Sequence, residues 1–339
     1  MIELDKIKPK KWQGKGESLT RFRELGMLAT IVVISLLVQM RNPNYLTFEN
    51  INDLLTNTAI LSILSVGMML VIVTRGIDLS IGSVLALSGM ISALAVSANP
   101  NLHPLTAMLI GTVVGTASGA VVGLLISKGG LLPIIASLGM MNVYRGLTYM
   151  ISGGRWVSAY QMPESFKYIA TGRIFGINIL VFIAVIIYII AFYFVNYTRT
   201  GRQIYAVGSN PESAKISGIN NSRIYFLVYT IMGALSGLAG VLWVSKFASA
   251  QGDTATGYEM SVIAACVLGG VSMAGGSGKI SGIVMGSILL GIINNALPLI
   301  NVSPFWQQAI QGVIILSSVI INTVVKRRVD KNNLMRRKI

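Results

Sequence analysis

Long apolar segments, separated by short polar ones, make up most of this chain. Ten of them lie close to the roughly 20 residues that an α-helix needs to cross a bilayer, although the eighth is short enough to be half inserted. The pattern predicts an all-α polytopic membrane protein with about ten transmembrane helices. The predicted spans are 25–40, 51–73, 81–98, 104–126, 131–151, 179–197, 224–245, 258–273, 280–300 and 305–325.

The composition supports a membrane protein and excludes several kinds of site. Of the 339 residues, 53% are hydrophobic and only 12% are charged, whereas a soluble domain carries roughly 25% charged residues. Because Cys266 is the only cysteine and His103 the only histidine, an internal disulfide and a histidine metal cluster are both excluded. No paired carboxylates and no nucleophile–base set stand out, which argues against a membrane enzyme.

The basic residues predict the orientation. With the N-terminus in the cytoplasm, 21 Lys and Arg residues fall in inside segments, 5 fall in outside segments and one, Arg145, lies within a span. This asymmetry predicts that both termini are cytoplasmic and that the number of spans is even. The net charge of +15 therefore suits membrane lipid, and no nucleic acid partner is expected.

These assignments divide the chain into three parts. Residues 1–24 form a basic cytoplasmic segment, residues 25–325 the transmembrane domain and residues 326–339 a basic cytoplasmic tail. Two connections exceed a simple turn. The outside loop 152–178 carries aromatic residues that suit a short interfacial helix or strand, and the inside loop 198–223 is the longest on its side.

A polar break at Thr74–Ser83 interrupts the second and third spans. Its segment Gly76-Ile77-Asp78-Leu79-Ser80 is echoed by Gly257-Tyr258-Glu259-Met260-Ser261 at the start of the eighth span. The two copies lie an odd number of spans apart and would enter from opposite sides. This predicts an inverted repeat in which residues 51–151 correspond to 224–325, although a match of this length also arises by chance. The break itself is either an ordinary turn or part of a transport pathway.

Polar groups near the membrane core supply the candidates for a path or gate. Asp78 and Glu259 each lie where a helix begins, so both favour a helix N-terminal role, and Asp78 could also pair with Arg75. For Arg145, the sequence supports a structural role and a functional role equally. Asparagines within spans suit a neutral polyol, but they equally suit contacts between helices. The path or gate candidates are Asp78, Ser80, Gly82, Glu259, Asn57, Asn294 and Asn295.

The inside loop contains a short helix with well-defined ends. Asn210 is a suitable N-cap, Pro211 fits the first helical position and Glu212 complements the positive helix end. Gly218 can end the helix in left-handed geometry. Ala214 is expected to give a flat surface and Ile216 an apolar knob for a soluble partner. The alternative is a solvated connector; the candidate contact residues are Asn210, Pro211, Glu212, Ala214, Lys215 and Gly218.

Gly275-Gly276-Ser277-Gly278-Lys279 is not a phosphate-binding P-loop. The motif requires a glycine where Met273 stands and a Ser or Thr where Ile280 stands. The chain is therefore not expected to bind or hydrolyse ATP by this route, and it needs no cofactor. A stand-alone ion-coupled secondary transporter stays open, although few ionisable groups lie near the membrane core.

Three blocks in the right order resemble the permease subunits of ribose-type carbohydrate ABC importers. Residues 74–83 are similar to that family's Gly-Ile-Asp-Leu-Ser-Val-Gly-Ser segment, with Ile81 in place of valine. Residues 198–219 are similar to its cytoplasmic loop, and residues 257–276 to its third block. The resemblance covers nearly the whole chain from about residue 25. The outside loop around Gly153 to Val157 looks more like the rhamnose and autoinducer-2 members of the family than the ribose members.

The resemblance implies a multi-pass protein of the bacterial or archaeal cytoplasmic membrane that imports a monosaccharide or similar molecule by alternating access. It implies three kinds of partner: cytoplasmic ABC ATPase subunits that bind ATP, an extracytoplasmic sugar-binding protein and a second permease copy. In the family, the loop that matches Asn210 to Gly218 contacts the ATPase. The chain itself would be a transport component rather than an enzyme.

Overall fold

The computed structural model describes residues 16–299 and single positions between 303 and 320, with side chains from residue 25 onwards. Residues 1–15, the tenth predicted span and the basic tail therefore lie outside the continuously described part. Within it, the fold is almost entirely helical. The helices are α1 (Gly16–Arg41), α2 (Phe48–Val73), α3 (Ile81–Ala98), α4 (Pro104–Ser127), α5 (Pro133–Ser152), α6 (Glu164–Thr171), α7 (Ile179–Tyr197), α8 (Arg199–Ser209), α9 (Pro211–Ile216), α10 (Asn221–Phe247), α11 (Tyr258–Leu268) and α12 (Ile280–Leu299).

Each predicted span up to residue 300 overlaps one of these helices. Six of them are long and apolar enough to cross a membrane, namely α2, α3, α4, α7, α10 and α12. The helix α5 has the length but carries polar residues such as Asn142 and Arg145, and the apolar part of α1 is shorter. The eighth predicted span, 258–273, is helical only over α11, because Gly269 and Gly270 end the helix early.

The helix α2 lies at the centre of the described structure. In its most apolar 18-residue window, 94% of residues are buried, whereas the corresponding value for α7 is 22%. A helix that is apolar all round must be surrounded by other helices, and an apolar exposed helix must face lipid. The two helices therefore mark the inside and the outside of the bundle.

Glycines bring α4 and α10 into close contact. A Cβ added at Gly115 would lie 2.3 Å from the carbonyl oxygen of Gly233, and one added at Gly237 would lie 2.3 Å from that of Gly111. These glycines are spaced four residues apart on both helices, which is the small-residue spacing that allows membrane helices to approach closely. The contact fixes α10 against the bundle, so that its far end can line a cavity.

The predicted outside loop is compact. It contains α6 and a hairpin of β1 (Arg173–Ile174) and β2 (Ile177–Asn178), in agreement with the short helix or strand expected there. Ser245 of α10 connects this cover to the bundle, because its hydroxyl donates to the Phe166 carbonyl and accepts from the Ala170 amide. Aromatic side chains at the edge remain exposed, including Trp156 and Tyr160, as expected at a membrane interface.

Candidate translocation path and coupling surface

A cavity of about 240 Å³ lies between α2, α10, α11 and α12. Three aromatic rings form one side of it. The Trp243 ring centroid is 4.9 Å from that of Phe247 and 5.1 Å from that of Tyr258. The polar side chains of the lining come from all four helices: Asn57, Thr58, Lys246, Ser261, Asn294 and Asn295. The volume is slightly below the roughly 300–1,000 Å³ of pockets for drug-sized ligands.

The polar side of this cavity is organised by Lys246. Its ammonium group donates to Asn57 Oδ1 at 2.7 Å and to the Thr56 carbonyl at 3.3 Å, and it lies 5.2 Å from the centre of the Phe247 ring. Asn295 exchanges two amide hydrogen bonds of 3.2 Å with Asn50 of α2. The cavity therefore presents an ammonium group and amides opposite apolar rings.

The structure brings together three of the predicted path residues, Asn57, Asn294 and Asn295, which come from α2 and α12. Sequence reasoning missed Trp243, Lys246 and Tyr258 at the same cavity. The predicted span 224–245 leaves Lys246 in the outside loop that follows, but it is the second-to-last residue of α10. A usable signal was available, because Trp243 and Lys246 are three residues apart and share one helix face.

The N-termini of α3 and α11 meet at a second site, the α3–α11 junction, formed by Gly82, Ala255 and Glu259. A Cβ added at Gly82 would lie 2.6 Å from the Ala255 carbonyl oxygen and 3.0 Å from Glu259 Oε2. Glu259 lies in the first turn of α11 and beside the first turn of α3. One carboxylate thus lies beside the N-terminal ends of two helices.

Asp78 lies within the break, three residues ahead of the start of α3. Its Oδ1 accepts from the Ser80 amide at 2.9 Å and from the Ser80 hydroxyl at 2.6 Å, and the side chain is 2% exposed. Burial raises the pKa of the Asp78 carboxyl above its ordinary value, while the two hydrogen bonds from Ser80 oppose that rise. The predicted helix N-terminal role is thus supported by geometry, although Asp78 lies outside α3 whereas Glu259 lies inside α11.

The predicted pairing of Arg75 with Asp78 is wrong. The break turns Asp78 inward, and the guanidinium of Arg75 instead donates to the carbonyls of Gly208 and Ser209 at the end of α8. Arg145 has a structural task as well. It donates to the carbonyls of Gly252 and Thr254 at 2.8 Å each and so holds the loop that leads into α11.

The predicted short helix of the inside loop is α9, with the expected ends. Asn210 Oδ1 accepts from the Ser213 amide, and Pro211 occupies the first helical position. At the other end, the Ile219 amide donates to Ala214 and the Gly218 amide to Lys215, with Gly218 at φ +79°. This is the Schellman arrangement, in which glycine adopts the left-handed conformation at low cost. The ends of α9 were therefore predicted correctly.

The exposed face of α9 differs from the expectation at one position. Ile216 is 88% exposed and forms the apolar knob, and Glu212 and Lys215 are exposed beside it. Ala214 is only 3% exposed, because α9 packs against α8 and α10 through this small side chain. Ala214 is thus a packing residue, and the expectation that it forms part of a free surface is wrong.

Comparison with known proteins decides the family. The family model described as "Branched-chain amino acid transport system / permease component" matches residues 50–319, which is most of the chain. The chain belongs to this family. This confirms the expectation of a membrane transport component rather than an enzyme, and the relatives described next confirm the resemblance drawn from the three sequence blocks.

Individual relatives match over nearly their whole length. The chain is 39% identical over 297 residues to the ribose import permease protein RbsC of Escherichia coli, which covers 87% of this chain and 92% of that protein. It is 36% identical over 295 residues to RbsC of Haemophilus influenzae, with 86% and 90% covered. It is 34% identical over 299 residues to the L-arabinose transport system permease protein AraH of Escherichia coli, with 88% and 90% covered. No solved structure gives a significant match.

Proposed function

We propose that this chain is the membrane permease of an ATP-driven monosaccharide importer in the bacterial or archaeal cytoplasmic membrane. The observation that carries the proposal is the identity of 39% with a ribose import permease over nearly the full length of both chains. ATP hydrolysis then belongs to a separate ABC ATPase, and an extracytoplasmic binding protein delivers the sugar. A second permease copy, identical or related, completes the channel.

The cavity bounded by Trp243 supports a sugar as the cargo. A monosaccharide carries hydroxyl groups around its edge and C–H groups on its faces. The rings of Trp243 and Tyr258 offer an apolar surface for such a face, while Asn57 and Lys246 offer donors and an acceptor for hydroxyls. The cavity size suits one such molecule. Rings and amides recognise features that all monosaccharides share, so the proposed cargo is this class of sugar rather than one member of it.

The topology that we propose has ten spans, both termini in the cytoplasm and an inverted repeat. In this topology, the Trp243 cavity opens towards the outside and α9 lies in the cytoplasm. The α3–α11 junction supports the repeat, because two polar, non-helical segments lead into two helices whose N-termini meet. Broken helices of this kind are found where transporters change access from one side to the other. Asp78, Ser80 and Gly82 then belong to a gate.

The coupling surface is α9. Its exposed knob, Ile216, and the charged side chains beside it would contact the ATPase, so that closure of the ATPase pair moves α9 and opens the path. The residues that we assign to this surface or its ends are Asn210, Pro211, Glu212, Lys215, Ile216 and Gly218. Ala214 positions the helix instead.

Uptake into proteoliposomes tests the proposal. The permease is reconstituted with its ATPase, and radiolabelled ribose and related monosaccharides are supplied with the binding protein outside. Uptake should require ATP inside and survive collapse of ion gradients. Uptake that is driven by an ion gradient without ATPase or binding protein would instead establish the secondary-transporter alternative.

A variant at the cavity tests the assigned path. Trp243→Leu removes the aromatic surface and should lower uptake at least tenfold, which corresponds to about 1.4 kcal/mol, the upper part of the range for one aromatic contact. Trp243→Phe keeps an aromatic ring and should retain much of the wild-type uptake. Tyr193→Leu, on the exposed face of α7, serves as a control for loss of an aromatic residue. Equal uptake by Trp243→Leu and Tyr193→Leu would exclude Trp243 from the path.

A further inference from the structure

Arg75 occupies a position at which glycine is the usual residue. It follows the last turn of α2, with its amide donating to Ile72 at 2.9 Å, and the next amide, of Gly76, donates to Val71 at 3.0 Å. This is the same Schellman cap that Gly218 forms on α9. Arg75 adopts φ +65° there, a left-handed conformation that disfavours side chains. The conformational cost of a non-glycine residue at this point must be offset by contacts that its side chain makes.

The side chain of Arg75 caps a second helix. Its Nε donates to the Gly208 carbonyl at 2.7 Å and its Nη2 to the Ser209 carbonyl at 2.5 Å. These are the last two carbonyls of α8, where a positive charge is favourable. The planar guanidinium makes both bonds at once, which an ammonium group cannot do in the same geometry. The next residue, Asn210, is the N-cap of α9.

The backbone around Arg75 is packed without free space. A Cβ added at Gly208 would lie 1.8 Å from the Val73 carbonyl oxygen, which also accepts from the Gly276 amide at 2.9 Å. A Cβ at Gly275 would lie 2.3 Å from Cγ of Arg75. Three segments are therefore in direct contact: the end of α2, the end of α8 and the turn at 274–279. Because backbone atoms in contact cannot yield, one segment can move only if the others move with it or if the contact opens. We call this contact the Arg75 junction.

The covalent connections of α9 lead elsewhere. Along the chain, α9 continues into α10 at one end and through α8 into α7 at the other. Arg75 itself belongs to the Thr74–Ser83 break and lies three residues before Asp78. The Arg75 junction is thus a direct non-covalent link from the α8–α9 turn to the break, with the fork of one side chain as its main polar element.

We propose that Arg75 is the residue that transmits movement of α9 to the α3–α11 junction. It acts as a positioning residue, since it contacts neither sugar nor ATP, and its role rests on the proposed function. When the ATPase displaces α9, the two hydrogen bonds to Gly208 and Ser209 pull the end of α2 and the start of the break with it. The backbone contact between Gly208 and Val73 resists approach but not separation, so without the guanidinium α9 would move away while the break stays in place.

Three variants of the full importer separate this role from a structural one. Arg75→Gly suits the left-handed conformation and deletes the fork, Arg75→Lys keeps the charge but loses the two-point contact, and Lys128→Ala removes an exposed cation at the end of another helix. Sugar uptake and sugar-stimulated ATP hydrolysis are measured on the same proteoliposomes. Arg75→Gly should keep ATP hydrolysis within about twofold and lose at least tenfold in uptake per ATP. The uptake per ATP of Arg75→Lys should lie between that of Arg75→Gly and that of Lys128→Ala.

A labelling experiment measures directly whether the break responds to nucleotide binding at the ATPase. Cys266, the only cysteine, is buried, so Leu79→Cys, which is partly exposed in the break, places a single reactive thiol at the reporting position. Its rate of maleimide modification should change with ATP and vanadate in the wild-type background and not in Arg75→Gly. Normal uptake per ATP in Arg75→Gly overturns the proposal, as does an unaltered nucleotide response of the thiol. If the ATPase no longer copurifies with Arg75→Gly, the proposal is also overturned, because Arg75 would then be needed for binding of the ATPase.

The outcome for Arg75 is distinguishable from that for the proposed function. If the wild-type importer itself shows no ATP-dependent uptake, the proposed function fails whatever the variants do. If Arg75→Gly does not fold, thermal unfolding of the purified protein reveals it, and Arg75→Lys then decides. An Arg75→Lys variant with wild-type uptake per ATP contradicts a two-point transmission.

Discussion

The close contact at Gly82 allows a quantitative test of the α3–α11 junction. In Gly82→Ala, the new Cβ would lie 2.6 Å from the Ala255 carbonyl oxygen, whereas ordinary contacts begin at 3.4 Å. The two segments must therefore separate by roughly 0.8 Å, since a packed interior leaves no free space. Overpacking of this kind costs about 1–3 kcal/mol. The same cost shifts an equilibrium between the closed and separated junction by roughly 5- to 150-fold.

Two measurements on purified and reconstituted protein test this magnitude. Gly82→Ala should lower the unfolding temperature in detergent by several degrees and reduce sugar uptake at least fivefold, because the closed junction becomes less populated. Gly146→Ala is the matched control, since its added Cβ has no atom within 4 Å and it lies within α5. That control should be neutral or stabilised by up to about 1 kcal/mol, from the higher helix propensity of alanine. Equal behaviour of the two variants would refute the reasoning.

Two further predictions concern Glu212 and Asp78. Glu212→Lys on the exposed face of α9 should keep membrane insertion and ATP hydrolysis but reduce uptake per ATP, with Glu212→Gln intermediate; unchanged coupling would remove α9 from the ATPase contact. Asp78→Asn should fold, because its Oδ1 still accepts from Ser80, whereas Asp78→Leu should lose at least about 1 kcal/mol as the amide of Ser80 is left unpaired. Since the pKa of Asp78 is raised in the folded protein, the folded state takes up a proton at a higher pH than the unfolded state. The stability of the wild type should therefore rise as pH falls through the raised pKa towards the ordinary value of 3.8, and that of Asp78→Asn should not. Unfolding temperatures of the two proteins, measured from pH 8 down to about pH 4, check the sign.

Local signals in the sequence predicted the ends of helices well. The cap of α9 follows from residue types whose side chains or backbone freedom act within three or four positions, as at Asn210 and Gly218. The spans follow from runs of apolar residues for the same local reason. The aromatic character of the 152–178 segment likewise predicted a small surface element.

Contacts between distant segments could not be predicted in the same way. Ala214 is a small residue in a polar loop, so the sequence predicts that it is exposed. Only the packing of α9 against α8 and α10 shows that it is buried. Arg75 and Asp78 are close in sequence and opposite in charge, yet the turn after α2 separates them and the carbonyls of α8 take up the guanidinium. The cavity required Trp243 and Asn57 to meet across 186 positions of sequence, which no periodicity encodes.

The helix α11 joins the cavity to the Arg75 junction. At its N-terminus, Tyr258 lines the cavity and Glu259 lies against Gly82. At its other end, it runs through Gly269 into the turn whose Gly276 amide donates to Val73. Its 11 residues span only about 16 Å, roughly half of the hydrocarbon core, so it can move as one rigid piece. A displacement that Arg75 passes to the break can thus continue from the α3–α11 junction to the sugar cavity, because Glu259 and Tyr258 are neighbours in the first turn of α11.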